Sequence, residues 1–202
     1  MHNGTGKVKE YDVEYDTLIF EGEYLKGLMN GKGTNFWEDG KLEYEVEYLK
    51  GKFNGKGKKY NIKGELLFEG EYLNGKKWNG KGNEYYNNDK FKYDGEYLNG
   101  EKNGKGKEYY LDQLIFEGEY LNGERKGIGK QYWNGKLKFE GEFSSGKRNG
   151  KGKEYNYENK IIFEGEYING KRNGKGKEYY DNGEFKYEGE YLDGKRVMEN
   201  LK

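Results

Sequence analysis

Eight times along the chain the signature Phe-Glu-Gly-Glu-Tyr, or a close variant, returns at nearly constant spacing. The copies begin at Phe20, Tyr44, Phe68, Tyr93, Phe116, Phe139, Phe163 and Tyr187, with successive spacings of 24, 24, 25, 23, 23, 24 and 24 residues. A period of this length marks a repeat architecture, in which one small unit cannot bury its own apolar face and stacks on its neighbours. After each of the first seven signatures come a glycine, a short polar stretch and a Gly-x-Gly pair, as in Gly146-Lys147-Arg148-Asn149-Gly150-Lys151-Gly152. A further pair, Gly4 and Gly6, precedes the first signature, so the chain reads as opening in mid-repeat. One array over residues 1–196 and a tail over 197–202 are expected, as in a truncated chain or a piece of a longer array. The tail is expected either to cap the last repeat as a short helix or to be disordered.

Each repeat reads as two strands. In the first, alternate positions are apolar or glycine, as in Ile161, Phe163, Gly165 and Tyr167, with Glu164 and Glu166 between them. That is the period of two expected for a strand with distinct faces. The second strand follows the Gly-x-Gly, as in Lys175-Gly176-Lys177-Glu178-Tyr179-Tyr180. Asn-Gly dipeptides such as Asn169-Gly170 favour the positive-φ geometry of tight hairpin turns. Trp78 is one residue too many in its copy, and a turn is expected to absorb it, because a one-residue slip within a strand exchanges its faces. The signature glycines, Gly22, Gly70, Gly118 and their equivalents, read as slots where a neighbouring ring can lie against the backbone. Val46 fills that slot in the second copy, so stacking there is expected to be looser or differently arranged. The aromatic three residues after each later Gly-x-Gly, such as Tyr155 and Tyr179, falls by parity on the face opposite those glycines unless a bulge intervenes.

Composition supports an ordered array. Hydrophobic residues are 32% and charged residues 37%, a balance that elsewhere suggests disorder, but aromatics reach 17% and recur in register. The 37 basic and 37 acidic residues cancel, without the basic excess typical of a nucleic-acid binder. There is no cysteine, so disulfides and thiolate metal sites are excluded. No apolar run suits a signal peptide or a membrane span, and a cytoplasmic protein is expected.

The residues that could carry chemistry favour binding over catalysis. A dinucleotide fingerprint needs a helix after its glycines, whereas the segments after these Gly-x-Gly pairs are strand-like, so the pairs read as turns. A Glu-x-Glu or Asp-x-Glu pair, such as Glu117 and Glu119, recurs in every copy, and nothing separates one pair's environment from another's as paired catalytic carboxylates require. They read as a solvated face paired with lysines. His2, the single histidine, reads as inert. No nucleophile–base constellation, metal cluster or cofactor motif stands out.

The stretch from Phe163 to Tyr179 resembles the MORN repeat, the membrane occupation and recognition nexus, whose pattern is roughly aromatic-x-Gly-x-aromatic-x-x-Gly-x-x-x-Gly-x-Gly. The resemblance spans nearly the whole chain, departing from the family in Val46 and in using Tyr where Trp is frequent. It implies an all-β, elongated, single-layered, twisted antiparallel sheet of tandem β-hairpins. Sixteen strands at about 4.8 Å would make a rod of roughly 75 Å. It also implies a non-enzymatic scaffold that binds partner proteins, sometimes dimerises, and is linked to membranes, anionic lipids or the cytoskeleton. Related degenerate repeats occur in bacterial antitoxin-like proteins, a further branch that the resemblance admits. Family members fused to catalytic domains, including lipid kinases and a histone methyltransferase, carry those domains outside the repeats.

Two surfaces follow as candidate sites. Tyr72, Tyr97, Tyr120 and Tyr167 would line an aromatic trough for a partner helix or peptide, since Tyr is favoured at interfaces, although ring packing between repeats is the majority role expected of any one of them. Lys147, Arg148, Lys151, Lys171, Arg172 and Lys175 collect near the hairpin tips, where they would meet anionic phospholipid or an acidic partner, or serve solubility and edge protection. Open sheet edges at the first and last copies would permit homodimeric or end-to-end association.

Overall fold

The structure, a computed structural model, describes residues 4–85 and 91–197, apart from the side chain of Phe91. His2 and the tail from residue 198 lie outside the described residues. All regular structure among the described residues is β. The seventeen strands are β1 (Gly6–Tyr11), β2 (Leu18–Leu25), β3 (Leu28–Phe36), β4 (Leu42–Leu49), β5 (Lys52–Tyr60), β6 (Leu66–Leu73), β7 (Lys76–Tyr85), β8 (Phe91–Leu98), β9 (Glu101–Tyr110), β10 (Gln113–Leu121), β11 (Glu124–Trp133), β12 (Lys136–Ser144), β13 (Lys147–Tyr155), β14 (Ile161–Ile168), β15 (Lys171–Tyr179), β16 (Phe185–Leu192) and β17 (Lys195–Arg196). Two compact units divide the chain: the described residues up to Glu84 with Glu96–Glu101, and Tyr85–Gly95 with those from Lys102 onward. In the first, β1 to β7 form an antiparallel meander. In the second, β9 to β17 do the same. Each signature lies within one strand of a hairpin and the Gly-x-Gly that follows it lies in the next.

The turns follow their dipeptides. Asn169 and Gly170, at φ 52° and 88°, close the β14–β15 hairpin with two residues in the left-handed region that Asn and Gly tolerate. The Gly170 amide then donates to the Arg148 carbonyl of the preceding repeat at 2.8 Å, and the Asn169 amide to the Asn149 side chain at 3.3 Å. The same stitch joins Asn99 to Asn79 at 2.9 Å. Hairpin tips are therefore tied backwards, repeat to repeat, by an asparagine that the turn motif alone does not announce.

The core is a ladder of rings. Phe116, Phe139 and Phe163 have no exposed surface, and each lies over its own signature glycine and the glycine opposite. An added Cβ on Gly165 would stand 2.8 Å from Phe163 Cζ and 2.7 Å from the Gly176 Cα. The ring in the slot thus belongs to the slot's own strand, two residues back, and the neighbouring copy supplies the edge contact. Phe163 meets Tyr167 at 5.6 Å and Tyr191 of the next repeat at 5.1 Å, both edge-on. Phe139 meets Phe143 and Tyr167 in the same way. Such pairs contribute about 0.5–1.5 kcal/mol each beyond their burial. At Gly70 the close approach is instead to the backbone of Asn79 and Gly80.

Two irregularities have local causes. Val46 packs onto Gly57, so Tyr44 cannot take the flat position of the other signature aromatics. It tilts onto Phe53 at 4.7 Å, the rearrangement expected of a filled slot. Trp78 is not absorbed by its turn. It bulges β7 so that Gly70 faces Gly80, whereas Gly165 faces Gly176, the second glycine of its pair. The displacement is two residues, which keeps every side chain on its face. A regular bulge also corrects one expectation: Ile161 pairs with Tyr155, not on the Phe163 side, because the register shifts between Glu154 and Tyr155. Paired residues share a face, so Ile161 joins the tyrosine opposite the rings.

Candidate partner surfaces

The ring face is sealed by charge. Arg125, Arg148 and Arg172 lie over Phe116, Phe139 and Phe163, with guanidinium carbons 4.3, 4.3 and 4.1 Å from the ring centres. Each second strand also places a polar residue where the next repeat's tyrosine and cation converge. Glu154 accepts from Tyr167 at 2.9 Å, Arg172 at 2.5 Å and Arg148 at 3.3 Å. Glu178 accepts from Tyr191 at 3.0 Å and Arg196 at 2.6 Å, and Glu84 from Tyr97 at 2.9 Å. Glu108 accepts from Arg125 and Lys102, and Gln131 from Arg148. Burial pushes the Glu178 carboxyl up, but bonds from Lys186, Arg196 and Tyr191 outweigh it and hold it at about 2. The same opposition leaves Glu108 below the usual carboxylate range.

This arrangement uses up the tyrosines read as a trough. Tyr72, Tyr97, Tyr120 and Tyr167 retain 5, 6, 3 and 1% of their surface, so no open aromatic trough remains for them to line. Strict alternation in sequence shows which face a ring takes but not that an arginine from the next hairpin will cover it. The carboxylates that receive those arginines were missed as a set. Their signal was available: Glu154 and Glu178 recur one repeat apart, each 18 residues before an arginine.

The six basic candidates separate into three groups. Lys147 and Lys171 stand exposed at hairpin tips. Arg148 and Arg172 turn away from the tips onto the ring face. Lys151 and Lys175 belong to the opposite face, paired with Glu166 and Glu190. A continuous basic strip of all six is not formed, because the arginines are engaged by Glu154. Lys147 pairs with Ser144, whereas Lys171 has apolar company in Ile168, as Lys195 has in Leu192, and both apolar side chains are more than half exposed.

The face opposite the rings carries a groove in each unit. In the second unit its floor is the backbone of Gly141, Gly152, Gly165 and Gly176, and its volume is about 520 Å³. One wall alternates in sign across successive strands, Lys130–Glu140–Lys153–Glu164–Lys177–Glu188. The aromatics three residues beyond the Gly-x-Gly pairs steady this wall from the same face: Tyr155 donates to Glu140 at 2.5 Å and Tyr179 to Glu164 at 2.7 Å. Burial, and then the glutamate, push the Tyr155 hydroxyl well above its ordinary range. In the first unit a groove of about 680 Å³ runs over Gly22, Gly33, Val46, Gly57 and Gly70. Among the described residues no group of three or more His, Cys, Asp or Glu could hold a metal ion, and no helix is long and apolar enough to cross a membrane.

No curated protein matches the chain closely enough to count as a relative. The profile of the MORN repeat matches residues 20–42, 44–64, 93–113, 116–136, 139–156, 163–185 and 187–199. The copy beginning at Phe68 is outside those segments, and it is the copy whose register Trp78 displaces. With most of its length matched and every described hairpin built on that period, the chain belongs to the MORN-repeat family.

Proposed function

We propose that the chain is a non-enzymatic scaffold that holds a polypeptide partner along the glycine-floored groove of its charged face. The observation that carries this reading is the contrast between the two faces. The rings are spent on neighbouring repeats, whereas the groove floor presents backbone with no side chain above it. An extended chain laid there finds alternating donors and acceptors, which favour specificity and register more than raw affinity. The test is a pull-down and a binding titration with the intact array. Glu164→Lys with Glu188→Lys makes the wall from Lys153 to position 188 entirely basic and should weaken the retained partner at least about tenfold, as like charges on a rim are costly. Glu158→Lys, the same charge change in a connector, should not. Equal retention by all three proteins would remove the groove from this reading.

A second reading is peripheral binding to anionic phospholipid by the hairpin tips. It is favoured by the exposed Ile168 and Leu192 beside Lys171 and Lys195, apolar and basic groups suited to an interface. Sedimentation with phosphoinositide vesicles should then fall with salt and fall further for Ile168→Glu. No sedimentation at low salt would exclude it.

A further inference from the structure

The polar positions on the ring face form a series, and one member breaks it. The residues at the place where the next repeat's Tyr, or Phe143 in one copy, points are Glu10, Asn35, Lys59, Glu84, Glu108, Gln131, Glu154 and Glu178. Seven of these can accept a hydrogen bond through a side-chain oxygen, and Lys59 cannot. The tyrosine that points to it, Tyr72, is 5% exposed and its hydroxyl has no partner. The cation paired opposite Tyr72 is Lys77, the counterpart of Arg172 opposite Tyr167. Glu154 binds both members of the latter pair, whereas nothing negative joins Tyr72 and Lys77.

Lys59 turns aside instead, its amine 5.0 Å from the centre of the Tyr44 ring, which leans on Phe53 beside Tyr72. Lys77 bonds only the Asn83 carbonyl, at 3.1 Å, while lying over the Phe68 and Tyr97 rings. Its ammonium is disfavoured by burial, with Lys59 adding repulsion and Glu84 opposing both. Glu43 is near enough for Lys59 to favour its ionised form, yet no hydrogen bond or ion pair joins it to Lys59 or Tyr72. Tyr120 also has an unbonded hydroxyl, but there the carboxylate is present and committed to Arg125 and Lys102. Among the described residues, only at Lys59 do an orphaned hydroxyl and two cations meet with no carboxylate bonded to any of the three.

We propose that this position, bounded by Lys59, Tyr72 and Lys77, receives an acidic side chain of a bound polypeptide. The chain's own Glu154 and Glu178 display the chemistry that fits: one carboxylate taking a tyrosine hydroxyl and a cation together. The inference rests on the scaffold reading, and it adds a contact on the ring face of the first unit, opposite the groove, and the chemical feature of the partner that reaches it.

Two measurements test it on the whole chain. The first needs no ligand. Lys59→Glu supplies the missing acid from within, and its melting temperature should rise above that of the parent, while Lys63→Glu in the following connector makes the same charge change without that gain. The second is fluorescence anisotropy with a labelled Glu-rich peptide, its Gln-for-Glu analogue, and free acetate as competitor. The Glu peptide should bind at least about tenfold more tightly than the Gln peptide, as a charge-assisted bond implies. Tyr72→Phe, which keeps the ring, should weaken it severalfold, and Lys59→Glu should abolish it. Displacement by acetate as effective as by the unlabelled peptide would mean that a free carboxylate is the occupant, and would overturn the polypeptide assignment. A lower melting temperature for Lys59→Glu, or peptide binding indifferent to Tyr72 and Lys59, would overturn the inference while leaving the groove in the second unit to its own test.

Discussion

A glycine with no side chain sets the spacing of the ring face, where it leaves the slot that Phe163 fills. The groove on the charged face has another cause: the residue at that position directs its side-chain site toward the rings, so backbone floors the groove whether the residue is Gly165 or Val46. A Cβ on Gly165 would stand 2.7 Å from the Gly176 Cα and 2.7 Å from the Lys175 carbonyl oxygen. These are backbone atoms of a paired strand, so they cannot swing aside as a side-chain tip would. Gly165→Ala should therefore destabilise the protein by about 1–3 kcal/mol, the range of overpacking in a filled core. Urea unfolding would measure it, and a loss below the fitting error would mean that the strands part easily. Val46 shows the accommodation that a larger residue demands, since Tyr44 has left the flat position. The slot was legible in the sequence as Gly between aromatics. Its occupant was not, because parity assigns a face but does not say whether a ring leans along its own strand or across to the next.

At the level of strands and turns, the hairpins could be read from Asn-Gly dipeptides and alternation, and they form where those signals stand. The bulges could not. One residue too many near Ile162 exchanges the face of Ile161, and Trp78 shifts β7 by two, because a bulge is decided by pairing partners outside the local pattern. The stitches between successive tips were equally silent in sequence. Asn149 in Asn-Gly resembles a turn residue, yet its side chain accepts the Asn169 amide 20 residues away. Removing that acceptor should cost about 1 kcal/mol, a typical net hydrogen bond. Amide exchange at Asn169 should quicken about fivefold in Asn149→Ala, the factor to which that free energy corresponds, while Asn134→Ala, in the turn between β11 and β12, should leave it unchanged. Unaltered exchange at Asn169 would mean that the Gly170–Arg148 backbone bond holds the tip unaided.

Across the molecule, the balanced charge hides an asymmetry in its titratable groups: many of its 22 tyrosines are working parts of the interior. Burial is the leading cause that pushes the hydroxyls of Tyr48, Tyr72, Tyr120 and Tyr167 far above their ordinary range, and it pushes Tyr24, with help from Glu10, up to about 12. In the unfolded chain a tyrosine ionises near its reference value of about 10. A group whose folded pKa is raised binds its proton more tightly when folded, so its contribution is complete below about pH 10 and is lost as pH rises beyond it. Stability should therefore fall steeply on the alkaline side, since several such groups act together. Tyrosinate absorbance measured against pH should lag in the native protein behind the urea-unfolded chain, then rise in one cooperative step as the β-sheet circular dichroism disappears. Tyr72→Phe, which removes one of the resisting hydroxyls and leaves its ring, should move that step to higher pH. Superimposable native and unfolded titrations would mean that the rings are open to hydroxide, and the ring ladder that orders each unit would have to be abandoned.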